Sequence, residues 1–134
     1  MSKGAAEQGR QIPARYDSTM ALDARSVPGV RYTIQRMSFG RRMALSRRVR
    51  ELSRRAEFLD AGPEANEKIE ANILAQEIDA MYLQWGLAGI EELHIDGEPA
   101  TAELLLEKGP EALAHEIVSA IKQQCGLSEG ERKN

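Results

Sequence analysis

The sequence has few of the residues that build disulfides and metal sites. Cys125 is the only cysteine, so no disulfide can form within the chain. His94 and His115 are the only histidines, and a zinc site needs three or four ligands. His115-Glu116 begins like the zinc-binding helix motif HExxH, but Ser119 stands where the second histidine is required. We therefore predict no metal site and no cofactor.

Long apolar runs and enzyme signatures are also missing. No stretch approaches the roughly 20 apolar residues of a membrane span, and residues 1–20 lack the apolar core of a secretory signal. The chain has no phosphate-binding glycine loop, dinucleotide fingerprint or nucleophile elbow. These absences predict a protein without catalytic residues that works in the cytoplasm and not at a membrane.

Charge is plentiful, and its two signs are separated along the chain. Residues 1–59 carry 13 Lys and Arg against 5 Asp and Glu, whereas residues 60–134 carry 5 against 16. The net charge of −3 hides this separation. Such polarity favours oppositely charged partners, and it also suits head-to-tail association of two copies into a homo-oligomer.

Two long amphipathic helices are predicted in the middle of the chain. Aromatic residues make up 4% of the sequence, so the apolar stripes are mostly aliphatic. The first helix follows Ser38, a good N-cap, and its stripe has spacings of four and three. The members of this stripe are Leu45, Val49, Leu52, Ala56 and Leu59. The second helix covers about residues 64–85 and is expected to bury Ile69, Ile73, Ile78, Met81 and Trp85, with Leu74 and Tyr82 in support.

The turn between these helices is short, which predicts an antiparallel pair. Alternation of apolar and polar residues predicts a strand over 30–35, and a second short strand over 93–95 could pair with it. Two more helices follow, over 104–106 and 111–124. The predicted fold is therefore mainly α, with a long antiparallel helical hairpin, a short two-stranded β ribbon and two C-terminal helices.

The domain organisation follows from composition. Residues 1–28 are polar, interrupted by proline and poor in large apolar residues, so we expect a disordered arm. Residues 29–126 should form a single helical domain, because the chain has room for one core. Residues 127–134 form a polar tail.

The first helix also carries the candidate partner-binding residues. Arg47, Arg50 and Arg54 lie opposite its apolar stripe, whereas Arg41, Arg48 and Arg55 flank the stripe and could pair with the acidic second helix. Three apolar side chains also lie off the stripe and could meet a partner. The candidate residues are Phe39, Met43, Arg47, Arg50, Arg54 and Phe58. In the alternative interpretation the apolar members, together with Met37, pack on the strand and the last helix.

Nucleic acid is the second class of partner that an arginine-rich helix over 41–55 suggests, through contacts to phosphates. Three features speak against it. The rest of the chain is acidic and would repel phosphate, the basic segment lacks interleaved aromatic residues that stack bases, and DNA-binding helix-turn-helix units use shorter helices. A small nucleic-acid-binding regulator is therefore the alternative function.

Four segments in order carry a resemblance to a known family. A short strand leads into RMSFGRR (36–42), a helical hairpin ends in YLQWGL (82–87), IDGEPAT (95–101) follows, and GPEALAHEIVSAI (109–121) closes the domain. Together they resemble the small tail assembly chaperones of tailed bacteriophages and prophages. The resemblance runs from about residue 30 to the C-terminus and does not include the N-terminal arm.

This resemblance implies a non-enzymatic role in virion assembly in the bacterial cytoplasm. Such chaperones bind the long, helical tape measure protein, keep it soluble and help to recruit tail tube protein. The family has no catalytic residues to carry over to this chain. A structural phage tail or connector subunit is a second alternative.

Overall fold

The computed structural model describes residues 18–126, which are mainly helical with a small antiparallel sheet. This confirms the predicted class of mainly α. In chain order the elements are β1 (Thr19–Asp23), β2 (Arg31–Gln35), α1 (Phe39–Asp60), α2 (Ala65–Gly86), β3 (Leu87–Glu91), β4 (His94–Ile95), β5 (Glu98–Pro99), α3 (Ala102–Lys108) and α4 (Glu111–Gln124).

Helices α1 and α2 lie side by side and touch near both ends. Near one end a guanidinium nitrogen of Arg41 donates to the carbonyl oxygen of Trp85 at 3.2 Å. Near the other end Lys68 Nζ donates to the carbonyl oxygen of Asp60 at 2.6 Å. The start of each helix therefore meets the end of the other. Ser38 caps α1 as predicted, because its Oγ accepts a hydrogen bond from the backbone N–H of Arg41.

The core lies where the sheet, the start of α1, the end of α2 and α4 meet. Six large side chains are completely buried there: Ile34, Leu45, Leu83, Leu113, Ile117 and Ile121. Three of them, together with the buried Val118, form the apolar face of α4. Farther along α1 the predicted stripe is only half-buried, because α1 there packs mainly on α2.

The predicted buried face of α2 is partly wrong. Ile69 and Ile73 are 57% and 43% exposed, whereas Ala71 and Leu74 are buried. The five-residue step from Ile73 to Ile78 turns a helix by about 140° beyond a full turn, so these side chains cannot share one narrow stripe. Ala71 and Leu74 belong to a line through positions 67, 71, 74, 78, 81 and 85, at spacings of four and three, whose other members are half-buried. The other buried residues of α2 are Tyr82, Leu83 and Gly86, near its C-terminal end.

The sheet also differs from the predicted ribbon. Strand β2 has two antiparallel neighbours, β1 on one side and β3 on the other. Residues 93–95 do not pair with β2, because β4 turns back onto β5. Asp96 and Gly97 have φ angles of 51° and 82°, the left-handed pair that closes a two-residue hairpin turn. On the side of β2 away from β1, the pairing strand is instead β3, which begins directly after Gly86, where α2 ends.

The expectation of a disordered arm over 1–28 is wrong for residues 18–28. Strand β1 contributes the half-buried Met20 and Leu22 to the sheet, opposite Ile34 and Tyr32. Two or three apolar side chains are enough to order β1, because β2 offers it an edge of backbone hydrogen-bonding groups. Residues 1–17 and the predicted tail over 127–134 lie outside the residues that the structure describes.

Candidate interaction surface

All six candidate partner-binding residues lie on one exposed face of α1. Phe39, Met43 and Phe58 are 72%, 41% and 76% exposed, and the three arginines between them are exposed as well. The six positions follow one another at spacings of four, four, three, four and four, which keeps them on one side of a helix over about 28 Å. We call this set, Phe39, Met43, Arg47, Arg50, Arg54 and Phe58, the outer stripe.

The alternative that the apolar members pack inside the fold holds for one residue only. Met37 is half-buried and packs against the core cluster. Phe39 and Phe58 are instead among the most exposed large apolar side chains of residues 18–126. Exposed phenylalanines on a helix that has a separate buried face favour contact with a partner.

The arginines of the outer stripe are unpaired. Within residues 18–126, no side-chain hydrogen bond or ion pair involves Arg47, Arg50 or Arg54. Their charges are therefore free to meet carboxylates of another molecule. A guanidinium fork binds a carboxylate through two parallel hydrogen bonds, so the stripe suits an acidic partner with apolar side chains.

The flanking arginines have a different role from the one predicted. Arg41 and Arg48 stand over the ring of Trp85, with the guanidinium carbon 4.5 Å and 5.7 Å from the ring centroid. Their predicted pairing with the acids of α2 is wrong, because the side of α2 that they face presents an indole. Such cation–π contacts contribute about 0.5–1 kcal/mol each at exposed sites.

Glu116 on α4 holds the loop between β1 and β2. Its carboxylate accepts hydrogen bonds from the backbone N–H groups of Arg25 and Ser26, each at 2.9 Å, and from the Ser26 hydroxyl at 2.7 Å. The Tyr32 hydroxyl donates to it at 3.4 Å. Sequence analysis missed this role, and no spacing could show it, because the partners lie 84 to 91 residues away along the chain.

The same contacts shift two pKa values. Partial burial acts to raise the pKa of Glu116, but the hydrogen bonds from Arg25, Ser26 and Tyr32 outweigh it and hold the pKa below its usual range. Burial, followed by the negative charge of Glu116 and its hydrogen bond, raises the pKa of Tyr32. At neutral pH the carboxylate is therefore charged and the phenol is protonated, as this hydrogen-bonded arrangement requires.

Cys125, at the end of α4, is buried. Burial raises the pKa of its thiol, and the nearby positive charge of Arg42 only partly opposes this. A protonated, enclosed thiol is a weak nucleophile. The Nε atom of Arg42 is itself buried without a hydrogen-bond partner, which is a local cost that no other contact in residues 18–126 explains.

A groove of about 270 Å³ lies between α2, α3 and α4. Its apolar lining includes Leu83, Leu105 and Val118, and Asp79 and Glu111 contribute carboxylates. His115 Nε2 lies 3.8 Å from a carboxylate oxygen of Glu111 on the surface of α4. The groove lining contains no serine, cysteine or threonine.

In residues 18–126, no cluster of three or more His, Cys, Asp or Glu side chains could hold a metal ion. No helix of that range has the length and hydropathy that a membrane crossing needs. Comparison with protein-family models, with curated proteins and with solved structures gives no match for the chain.

Proposed function

We propose that this protein is a non-enzymatic tail assembly chaperone of a tailed bacteriophage or prophage. In this proposal it binds the tape measure protein in the bacterial cytoplasm and assists assembly of the tail tube. The observation that carries the proposal is the outer stripe of α1, which exposes apolar side chains and unpaired arginines on one helix face. The four resembling segments support the choice of family.

The outer stripe suits a long helical client. We infer that α1 and α2 form an antiparallel hairpin, so that α1 is held rigid by α2 on one side and open on the other. Side chains spaced four and three apart can interdigitate with an amphipathic helix along about 28 Å, roughly five helical turns. Phe39 and Phe58 would anchor the two ends, and the arginines between them would bind carboxylates of the client.

Co-expression with the tape measure protein of the same gene cluster tests this function. The wild-type protein should keep the client soluble and copurify with it after nuclease treatment. A double variant, Arg50→Glu with Arg54→Glu, should leave the client insoluble, because two attractive contacts become repulsive. Arg55→Glu with Arg36→Glu is the matched control: it reverses the same number of charges outside the stripe, at exposed side chains that make no contact with Trp85, and should retain the client.

Two results would contradict the proposal. One is a client that stays equally soluble with the stripe variant and with the wild type. The other is recovery of the protein in purified phage particles at a fixed stoichiometry, which would favour a structural tail or connector subunit. Loss of solubilisation in the control as well would show that overall charge matters and the stripe does not.

Nucleic acid binding is the second candidate, and the same partnerless arginines favour it. Three phosphate contacts by Arg47, Arg50 and Arg54 would make the logarithm of the binding constant fall with that of salt concentration, with a slope of about −2.7. A titration of duplex DNA at several salt concentrations measures this slope. A slope near zero, or binding that the double stripe variant leaves unchanged, would exclude this use of α1.

A further inference from the structure

Helix α2 carries a second apolar line on the side that faces away from α1. It runs through Ile69, Ile73, Gln76, Ala80 and Leu83, at spacings of four, three, four and three. Leu83 is completely buried, whereas Ile73 and Ile69 are 43% and 57% exposed. One continuous line of the helix is therefore covered at its C-terminal end and bare at its N-terminal end.

The covering helix is too short to reach the bare end. Helix α2 has 22 residues and α4 has 14, which correspond to about 33 Å and 21 Å. Gln76 and Ala80 line the groove between α2, α3 and α4, and Leu106 of α3, 41% exposed, lines it too. Because Ile73 lies one turn before Gln76, the bare isoleucines continue directly into the groove. We call Ile69, Ile73, Gln76, Ala80 and Leu106 the acid-flanked surface, for the reason that follows.

Acidic residues border this surface. Glu70 and Glu77 lie beside the isoleucines on α2, and Asp79 and Glu111 line the groove. Within residues 18–126 the carboxylates of Glu70 and Glu77 have no hydrogen bond or ion pair. Asp79 is paired with Lys122 at 3.3 Å, but both side chains are more than a third exposed, so a partner could exchange this weak pair for its own.

We propose that the acid-flanked surface docks an amphipathic helix of a partner, with an apolar stripe bordered by Lys or Arg. The charge of the border decides this choice: a helix with acidic flanks would meet the like charges of Glu70 and Glu77 beside the isoleucines and of Glu111 at the groove, whereas Lys or Arg flanks would pair with them. The proposal does not depend on the proposed function, because it uses a different helix face and a partner of opposite charge.

A designed peptide tests the proposal on the full-length protein. The probe is a fluorescent amphipathic helix of about 20 residues with a leucine stripe and lysine flanks, and its counterpart has glutamates in place of the lysines. Fluorescence anisotropy measures the affinity of each. The lysine peptide should bind, and Ile69→Ser with Ile73→Ser should weaken its binding by about tenfold or more, which corresponds to the loss of a central apolar contact.

Two further variants test whether the charge of this surface contributes to binding and whether the peptide binds at this surface. Glu77→Lys should weaken the lysine peptide and leave the fold unchanged by circular dichroism, because the residue is exposed. Phe39→Ser with Phe58→Ser is the matched control, since it also removes two exposed apolar side chains but lies on the outer stripe. This control should bind the lysine peptide as the wild type does.

Four outcomes would overturn the proposal. The first is a lysine peptide that fails to bind, and the second is binding with an affinity that Ile69→Ser with Ile73→Ser does not change. The third is an oligomer, detected by analytical ultracentrifugation, that this double variant dissociates, because the occupant is then a second copy. The fourth is a glutamate peptide that binds and loses affinity in the isoleucine variant, which would refute the charge argument.

Discussion

Gly86→Ala is a demanding test of the way α2 packs on α4. Gly86 is buried at the end of α2, and a Cβ atom there would lie 2.6 Å from Cγ2 of Ile121 and 2.8 Å from its Cδ1. Ile121 is completely buried, so its side chain has no open space into which to turn. The backbone of Gly86 does not have a positive φ. Alanine at position 86 therefore fits the backbone conformation, but its Cβ would collide with the Ile121 side chain.

Two effects of opposite sign determine how much Gly86→Ala changes the free energy of unfolding. Replacing a helical glycine by alanine stabilises a helix by up to about 1 kcal/mol, and by less at its last residue. Inserting a methyl group into a well-packed core costs about 1–3 kcal/mol. The packing cost is larger, so Gly86→Ala should lower the free energy of unfolding by roughly 1–2 kcal/mol. Gly40→Ala on α1 is the control, because no atom lies within 4 Å of the added Cβ, and it should not destabilise the protein.

Urea unfolding of a double-mutant cycle isolates the contact. Ile121→Ala alone should cost about 2–5 kcal/mol, but it removes all three atoms that a Cβ at position 86 would meet. The double variant should therefore be more stable than the sum of the single changes predicts, by about 1–3 kcal/mol. Additive effects, or a Gly86→Ala variant as stable as Gly40→Ala, would refute the reasoning.

Three other predictions concern the Glu116 carboxylate, the hydrophobic core and the Cys125 thiol. Glu116→Gln should destabilise the protein by about 1–3 kcal/mol at pH 7. Because the pKa of Glu116 is lowered in the folded state, the carboxylate contributes its full stabilisation above the unfolded pKa, about 4.3. Thermal unfolding should therefore show the difference between variant and wild type shrinking as the pH falls below that value. Leu45→Ala should cost about 2–5 kcal/mol in urea, whereas Phe58→Ala should cost almost nothing, and equal costs would place Phe58 in a core. Cys125 should react slowly with a thiol reagent in the native protein and quickly in urea, because it is buried and its pKa is raised; rapid native reaction would contradict its burial.

Local signals in the sequence predicted the long elements well. The N-cap at Ser38 and the spacing from Leu45 to Leu59 are properties of one segment, and α1 forms where they indicate. The outer stripe follows from the same periodicity, because a helix with one buried face must expose the opposite one. This part of the candidate surface was therefore predictable without any knowledge of the rest of the fold.

The features that sequence analysis missed depend on segments that are far apart in the chain. Strand β1 becomes ordered through pairing with β2, and the loop after it is held by Glu116 from α4. Neither interaction leaves a trace in the spacing of residues near Thr19–Asp23. The exposure of Ile69 has a similar origin, because it depends on where α4 ends, and not on the hydropathy of α2.

The separation of charge along the chain becomes a separation in space. The outer stripe lies opposite the apolar seam of α1, and the acid-flanked surface lies about 150° from the seam of α2, at 100° per residue. Two packed helices are about 20 Å across, which is about twice the Debye length in physiological salt. A partner on the outer stripe therefore meets mainly arginines, with Glu51 and Glu57 also exposed on α1, and a partner on the other side meets mainly carboxylates, although the net charge is only −3. The arginines stacked on Trp85 preserve this separation, because they do not pair with the exposed acids Glu70 and Glu77 of α2.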